Sequence, residues 1–168
     1  METGIEGIGM TTLYVRESDH FKEAPAQEIL LTAQELVEKK FRSRFLVLSN
    51  PNSIRLFLQV LLGSLEHEVF AALFLDTHLR LIAYVELFRG TVDASTVHPR
   101  EVVKEALAHN AAAVIFAHNH PSGVAEPSEA DERISRRLER ALDLVGVRVV
   151  DHLIVGESVS SLAEKGCL

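Results

Sequence analysis

Apolar residues recur along this chain in two rhythms, and the change from one to the other marks out its elements. Ile29, Leu30, Ala33, Leu36 and Val37 fall at helical spacing and lead to Lys39-Lys40, a basic pair suited to a helix C-terminus. Ser49-Asn50-Pro51-Asn52-Ser53 is dense in turn and N-cap residues. It precedes Ile54, Phe57, Leu58, Leu61, Leu62 and Leu65, a second amphipathic helix stopped or weakened at Gly63. The period then shortens: residues 69–75 and 81–85 are apolar runs joined by Asp76-Thr77-His78, the pattern of a hairpin of buried strands. Pro99 opens a third helix carrying Val102, Val103, Ala106 and Leu107, with proline in its tolerated first turn. Residues 112–117 form a short, fully apolar strand, Ile134, Leu138, Ala141, Leu142 and Val145 mark a helix of about four turns, and residues 147–155 read as a further strand. The order helix, two strands, helix, strand, helix, strand predicts an α/β fold, a mixed sheet with helices packed on it. Before it, Leu13-Tyr14-Val15 is a short apolar run that fits either an edge strand or an ordered arm.

At 168 residues and 47% hydrophobic composition, the chain suits one compact domain with a sizeable core. Residues 1–48 read as an N-terminal arm and helix packed on or preceding it, and residues 49–168 as the domain proper. The net charge of -7 works against a polyanionic partner unless a basic patch is present. The nearest candidate, Arg133, Arg136, Arg137 and Arg140, is interleaved with Glu132 and Glu139, as on the solvated face of a helix. Cys167 is the single cysteine, so no internal disulfide forms. METGIEGIGM has neither a basic n-region nor an apolar h-region, and no run approaches the ~18 apolar residues of a membrane span, so a cytoplasmic protein without membrane association is expected.

Chemistry concentrates in HNHPSGVAEPSEAD, residues 118–131. If the strand's extended backbone continues past Ala117, His118 and His120 project to one side and Asn119 to the other. Two neutral imidazoles on one side make a metal pincer that fills two of the four positions of a tetrahedral zinc ion. Asp131, in the first turn of the next helix, can swing back as a third ligand. The fourth position is then left to water, as in a catalytic zinc site. Such ligation lowers the pKa of water to roughly 7, and a general base is still needed to take its proton. Glu68, heading the first core strand, is the best placed carboxylate; Glu66 lies on the helix side of that junction, and Glu86, late in the second strand, fits an edge position equally well. Ser128 has two readings: an N-cap forming a capping box with Asp131, or a hydroxyl that steadies a developing oxyanion.

The pattern His-x-His, seven residues, Ser, two residues, Asp, with an upstream glutamate, resembles the JAMM (MPN-domain) metalloprotease superfamily. HEVF at 67–70, FRGT at 88–91, HPREVVKEAL at 98–107, AHNHPSG at 117–123 and DHLIVG at 151–156 look like its bacterial RadC branch, a resemblance covering roughly residues 50–168. It implies one zinc ion held by His118, His120 and Asp131, Glu68 as base, Ser128 as oxyanion aid, and an MPN sandwich similar in plan to cytidine deaminases. The implied reaction is hydrolysis of an amide or isopeptide bond in a protein or peptide substrate. Asn119 departs from the Ser or Thr usual in the protease branch. Longer RadC proteins also carry a helix-hairpin-helix module, and this chain reads as a short form without it.

Two rival functions accompany that reading, a non-catalytic metal-binding scaffold and a DNA-processing factor. The acidic balance makes nucleic acid an unfavoured partner. Asp151-His152 reads as support for the site rather than as added ligands. His20, His67, His78, His98 and His109 read as surface or structural residues, with His98 in a turn and His67 on the site rim. Neither the oligomeric state nor the physiological metal follows from the sequence, since the same ligands accept other divalent ions.

Overall fold

The computed structural model describes residues 12–17, 20–42, 51–90 and 97–168. Ser49, Asn50 and Thr91 lie outside these residues, so the N-cap expected before Pro51 and the last residue of FRGT are not placed. Leu13-Tyr14-Val15 feeds a strand, β1 (Tyr14–Glu17), that pairs antiparallel with β2 (His20–Glu23) in a hairpin of its own. Helix α1 (Ala26–Arg42) follows, and helix α2 (Pro51–Leu62) ends just before Gly63, as expected. In α1 the helical spacing is real, yet Leu30 and Leu36 remain half or more exposed.

Five strands form the main sheet in the order β4-β3-β5-β6-β7: β3 (Val69–Leu75), β4 (Leu81–Arg89), β5 (Ala113–Asn119), β6 (Arg148–Val155) and β7 (Val159–Ser161). β3 is antiparallel to both β4 and β5, β5 and β6 run parallel, and β7 returns antiparallel to β6. Helices α3 (Pro99–Ala108) and α4 (Glu129–Asp143) complete a mixed α/β architecture, with α4 connecting the parallel pair β5 and β6. The parallel pairing follows from that helix, because a parallel crossover needs a dozen or more residues.

The sequence expectation needs three corrections. β5 continues to Asn119 rather than stopping at Ala117, because its neighbours on both sides still offer ladder partners, with Phe70 opposite His118 and Val155 opposite Asn119. β4 runs on to Arg89 and is only partly buried; among the described residues it is an edge strand paired with β3 alone. β7 was absent from the expectation, being three residues, two of them serine, with no apolar period to read.

Strand alternation divides the core in two. Val69, Leu73 and Leu75 of β3 and Ile115 and Ala117 of β5 pack with Ile54, Phe57, Leu58 and Leu62 of α2. Phe70, Ala72, Phe74, Val114 and Phe116 pack on the opposite face against Val102 and Ala106 of α3 and Ile134, Leu138 and Leu142 of α4. Each fully buried residue of this size contributes roughly 1.5–3 kcal/mol relative to exposure. A sheet covered on both faces holds its strand ends in register, and the polar loops at those ends inherit that rigidity. Asp151 fastens the last strand: its carboxylate accepts from Ser161 Oγ (2.7 Å) and from the backbone N-H of Ala163 (3.1 Å).

The loop after β5 lies tight against the end of β6. His120 N-H donates to Val155 O (2.8 Å) and Glu157 N-H to Gly123 O (2.8 Å). Gly123 turns the chain with φ +82°, and a Cβ on Gly156 would stand 2.2 Å from Gly123 O. Replacing Gly156 with alanine therefore forces backbone apart, because no flexible side chain is there to yield. Gly156→Ala is expected to lower stability by about 1–3 kcal/mol, read as a lower urea midpoint at unchanged slope.

Candidate metal centre

β5 and β6 run side by side, and His118 near the end of β5 meets His152 of β6 beside the first turns of α4. His118 is 1% exposed, Asp131 5% and His152 fully buried, a polar cluster that an apolar interior tolerates only if every group is bonded. Phe70 stacks on the His118 ring at a centroid distance of 5.9 Å and meets His152 edge-on at 5.2 Å, which fixes both ring planes.

The proton positions follow from the partners. Ser135 Oγ donates its one hydrogen to the backbone oxygen of Asp131 (2.6 Å), so it accepts from His152 Nδ1 (2.5 Å). Complete burial holds the His152 pKa well below its ordinary value, so the ring is neutral and its Nε2 carries a lone pair. That lone pair lies 2.8 Å from His118 Nδ1, which must therefore be the protonated nitrogen, leaving the His118 Nε2 lone pair facing outward. His120 reaches the same state more simply, since its Nδ1 lies 2.7 Å from Val124 O and a carbonyl can only accept.

Both unprotonated Nε2 atoms converge on one point. They are 3.0 Å apart, with Asp131 Oδ1 3.1 Å from His118 Nε2 and Oδ2 3.7 Å from His120 Nε2. Bonds of ~2.0–2.1 Å to a tetrahedral ion would separate ligand atoms by about 3.3–3.4 Å, so the spacing fits. Two lone pairs and a carboxylate this close are mutually repulsive unless a cation, either a metal ion or a proton, lies among them. Among the described residues, His118, His120 and Asp131 are the group whose ligand atoms all lie within 4.8 Å of one another.

Asp131 is oriented by the start of its helix. Ser128 N-H and Oγ-H both donate to Asp131 Oδ2 (2.7 and 2.6 Å), and Asp131 N-H donates back to Ser128 Oγ (3.2 Å), a closed capping box. Oδ1 is thereby left facing His118. When the shared cation is a proton on His118 Nε2, its hydrogen bond and charge, with the Ser128 bonds, outweigh the effect of burial and hold the Asp131 carboxyl well below the usual range. Of the two readings of Ser128, the cap is the bond this geometry displays, and the same hydroxyl still lines the cleft.

That cleft, about 660 Å³, has Glu66, His67, Glu68, His118, His120, Ser128 and Asp131 on its walls. Glu68, half-buried, is thus brought to the ligand cluster from 50 residues upstream of His118, and Glu66 and His67 sit exposed on the rim. Glu86 is not among the lining residues and pairs instead with Arg89 through a 2.7 Å bond from Nε. Asp151 and His152 part company: alternation sends His152 to the ligands and Asp151 to the β7 side. Of the remaining histidines, His78 bonds Thr77 in a turn, His98 is the N-cap of α3 without a side-chain cap bond, and His109 stacks on Phe74.

Ser135 was not foreseen, and its signal was a serine set among the apolar positions Ile134, Leu138 and Leu142. Asn119 was placed on the face away from the ligands without a role. Its amide turns out to bond the first residue of β3, next to Glu68, with Val69 N-H donating to Oδ1 at 2.8 Å.

The family model described as RadC-like JAB domain matches residues 48–167. A UPF0758 protein of Cellvibrio japonicus is 63% identical over 123 residues, 73% of this chain and 55% of the relative. Two UPF0758 proteins of Vibrio cholerae are 52% and 50% identical, covering 88% and 91% of this chain and 92% and 98% of their own lengths. The chain thus spans about half of some relatives' length and nearly all of others'. Its matched residues, its mixed sheet and its His-x-His with Asp131 together make it a member of the RadC-like JAB-domain family of the JAMM/MPN superfamily.

Proposed function

We propose that this chain is a zinc-dependent hydrolase of JAMM type that cleaves an amide or isopeptide bond in a protein or peptide. The observation that carries the reading is the pair of Nε2 lone pairs fixed by their hydrogen-bond partners on the point that Asp131 also faces. His118, His120 and Asp131 would hold the ion; two imidazoles and one carboxylate are a zinc donor set that leaves a position for solvent or substrate. When bound, zinc supplies Lewis acidity that polarises a carbonyl and acidifies water.

The chain's own groups supply the rest. Glu68, on the same cleft wall, takes the proton from the attacking water at its carboxylate and returns it to the leaving nitrogen. Ser128 keeps Asp131 N-H as a donor to its Oγ while its hydrogen turns from Asp131 Oδ2 towards the substrate oxygen, so capping and oxyanion support use different sides of one hydroxyl. His152 and Ser135 hold His118 in the tautomer that ligation requires. A protein or peptide substrate is also favoured over nucleic acid by charge: Arg133 and Arg136 are engaged by Glu129 and Glu132 on their own helix. Among the described residues no helix is long and apolar enough to cross a membrane.

Metal analysis of purified protein should give about one zinc per chain, with a large loss in His118→Ala and Asp131→Ala. His152→Ala should weaken zinc by about 10–100-fold in chelator competition, since the tautomer of His118 is no longer fixed. Glu68→Gln should retain the metal and lose about 10²–10⁴-fold in turnover of a peptide or isopeptide conjugate; loss of the metal instead would mean that Glu68 is not the base.

A further inference from the structure

Glu68 immediately precedes β3, and a residue at a strand's edge is normally free to fray. β3 and β5 form a ladder whose last paired residues are Phe70 and His118. One step further, the amide of Asn119 takes over. Its Oδ1 accepts from Val69 N-H (2.8 Å), and its Nδ2 donates to His67 O (3.0 Å) and Leu65 O (3.3 Å). The orientation is forced, because Val69 N-H can only donate and the two carbonyls can only accept. Gly90 N-H closes the clamp on Glu68 O (2.9 Å). The carbonyl before Glu68, its own carbonyl and the N-H after it are all held.

We propose that Asn119 is a positioning residue for Glu68, tying the base to the same two-residue step of β5 that carries the histidines. The proposal rests on the reading of Glu68 as the base. Asn119 is 2% exposed and lies on the face of β5 opposite His118, so it acts on the base without facing the ion. Its chemistry is specific to an amide of this length: one acceptor and two donors are used at once. Aspartate has no donor, and serine or threonine has a single hydroxyl hydrogen. Because strand alternation puts consecutive side chains on opposite faces, His118 points into the cleft while Asn119, from the adjacent Cα, holds from the other face the segment that brings Glu68 to the same cleft.

The test compares Asn119→Ala, Asn119→Thr, Glu68→Gln and the double variant Glu68→Gln/Asn119→Ala in the whole zinc-loaded chain. Acetohydroxamate, a zinc chelator whose polar head hydrogen-bonds to a neighbouring carboxylate, is the probe, titrated by calorimetry beside chelator-competition zinc affinity. Amide hydrogen exchange at Val69 and Gly90 is read in the same samples. Asn119→Ala is expected to keep its zinc, speed exchange at Val69 and lose about tenfold in acetohydroxamate affinity, matching Glu68→Gln, with no further loss in the double variant. Asn119→Thr, which keeps one acceptor and one donor, should recover part of that loss and guards against an alanine variant that fails to fold. Multiplying losses in the double variant, wild-type probe affinity in both Asn119 variants, or loss of zinc in them would each overturn the proposal. A wild type without zinc, or a Glu68→Gln that binds the probe normally, would instead remove the reading of the base, and the proposal with it.

Discussion

The structure at this site depends on a one-way chain of buried hydrogen bonds running from the Asp131 carbonyl through Ser135 and His152 to His118. A backbone carbonyl offers no hydrogen, so it sets the direction of every bond that follows. A neutral, fully buried imidazole then passes that direction from one ring nitrogen to the other. The last lone pair in the chain has no partner of the same kind to satisfy it, and it points at the second lone pair, on His120. The interior has thus been arranged so that a positive charge is needed at one place. Burial makes the demand severe, because unpaired polar groups are costly where water cannot reach them.

Two local rules place the remaining pieces. The capping box at the start of α4 satisfies Asp131 Oδ2 with Ser128, and the first turn of the helix, also carrying Glu129 and Glu132, favours negative charge at that end. The carboxylate consequently stays ionised and turns its other oxygen to His118. Across the sheet, alternation along β5 gives His118 to the α4 face and Asn119 to the face with the Leu65–Val69 segment. The backbone of β5 then fixes the distance between the His118–His120 pair and the Glu68 segment, which line one cleft. Pairing on both flanks keeps that strand in register, whereas β4, paired among the described residues with β3 alone and partly exposed, contributes only the Gly90 end of the clamp.

Local pattern made much of this legible. Helical spacing located the four helices, a fully apolar run located β3, and the His-x-His step beside a Ser-x-x-Asp helix start located the three residues that could hold a metal ion. These signals are short-range: each depends on residues within one turn or one strand. Val159–Ser161 gave no such signal, because a three-residue strand with two serines is a strand only through its ladder with β6. The extension of β5 over His118 and Asn119 was likewise decided by its neighbours. Ser135 looked like a polar exception on an apolar helix face, and nothing local said that its hydroxyl would meet His152, 17 residues away.

The sequence by itself determined which residues have the chemistry to bind a cation, and on which side of their strand they lie, because donor type and strand period are properties of the residues and their spacing. Tertiary structure decided which nitrogen of each histidine keeps its proton, which of Glu68 and Glu86 comes to the cleft, and that Asn119 holds the chain around Glu68. The His118 proton is set across 34 residues and the clamp around Glu68 across about 50, and only the paired sheet fixes distances of 3 Å across such gaps.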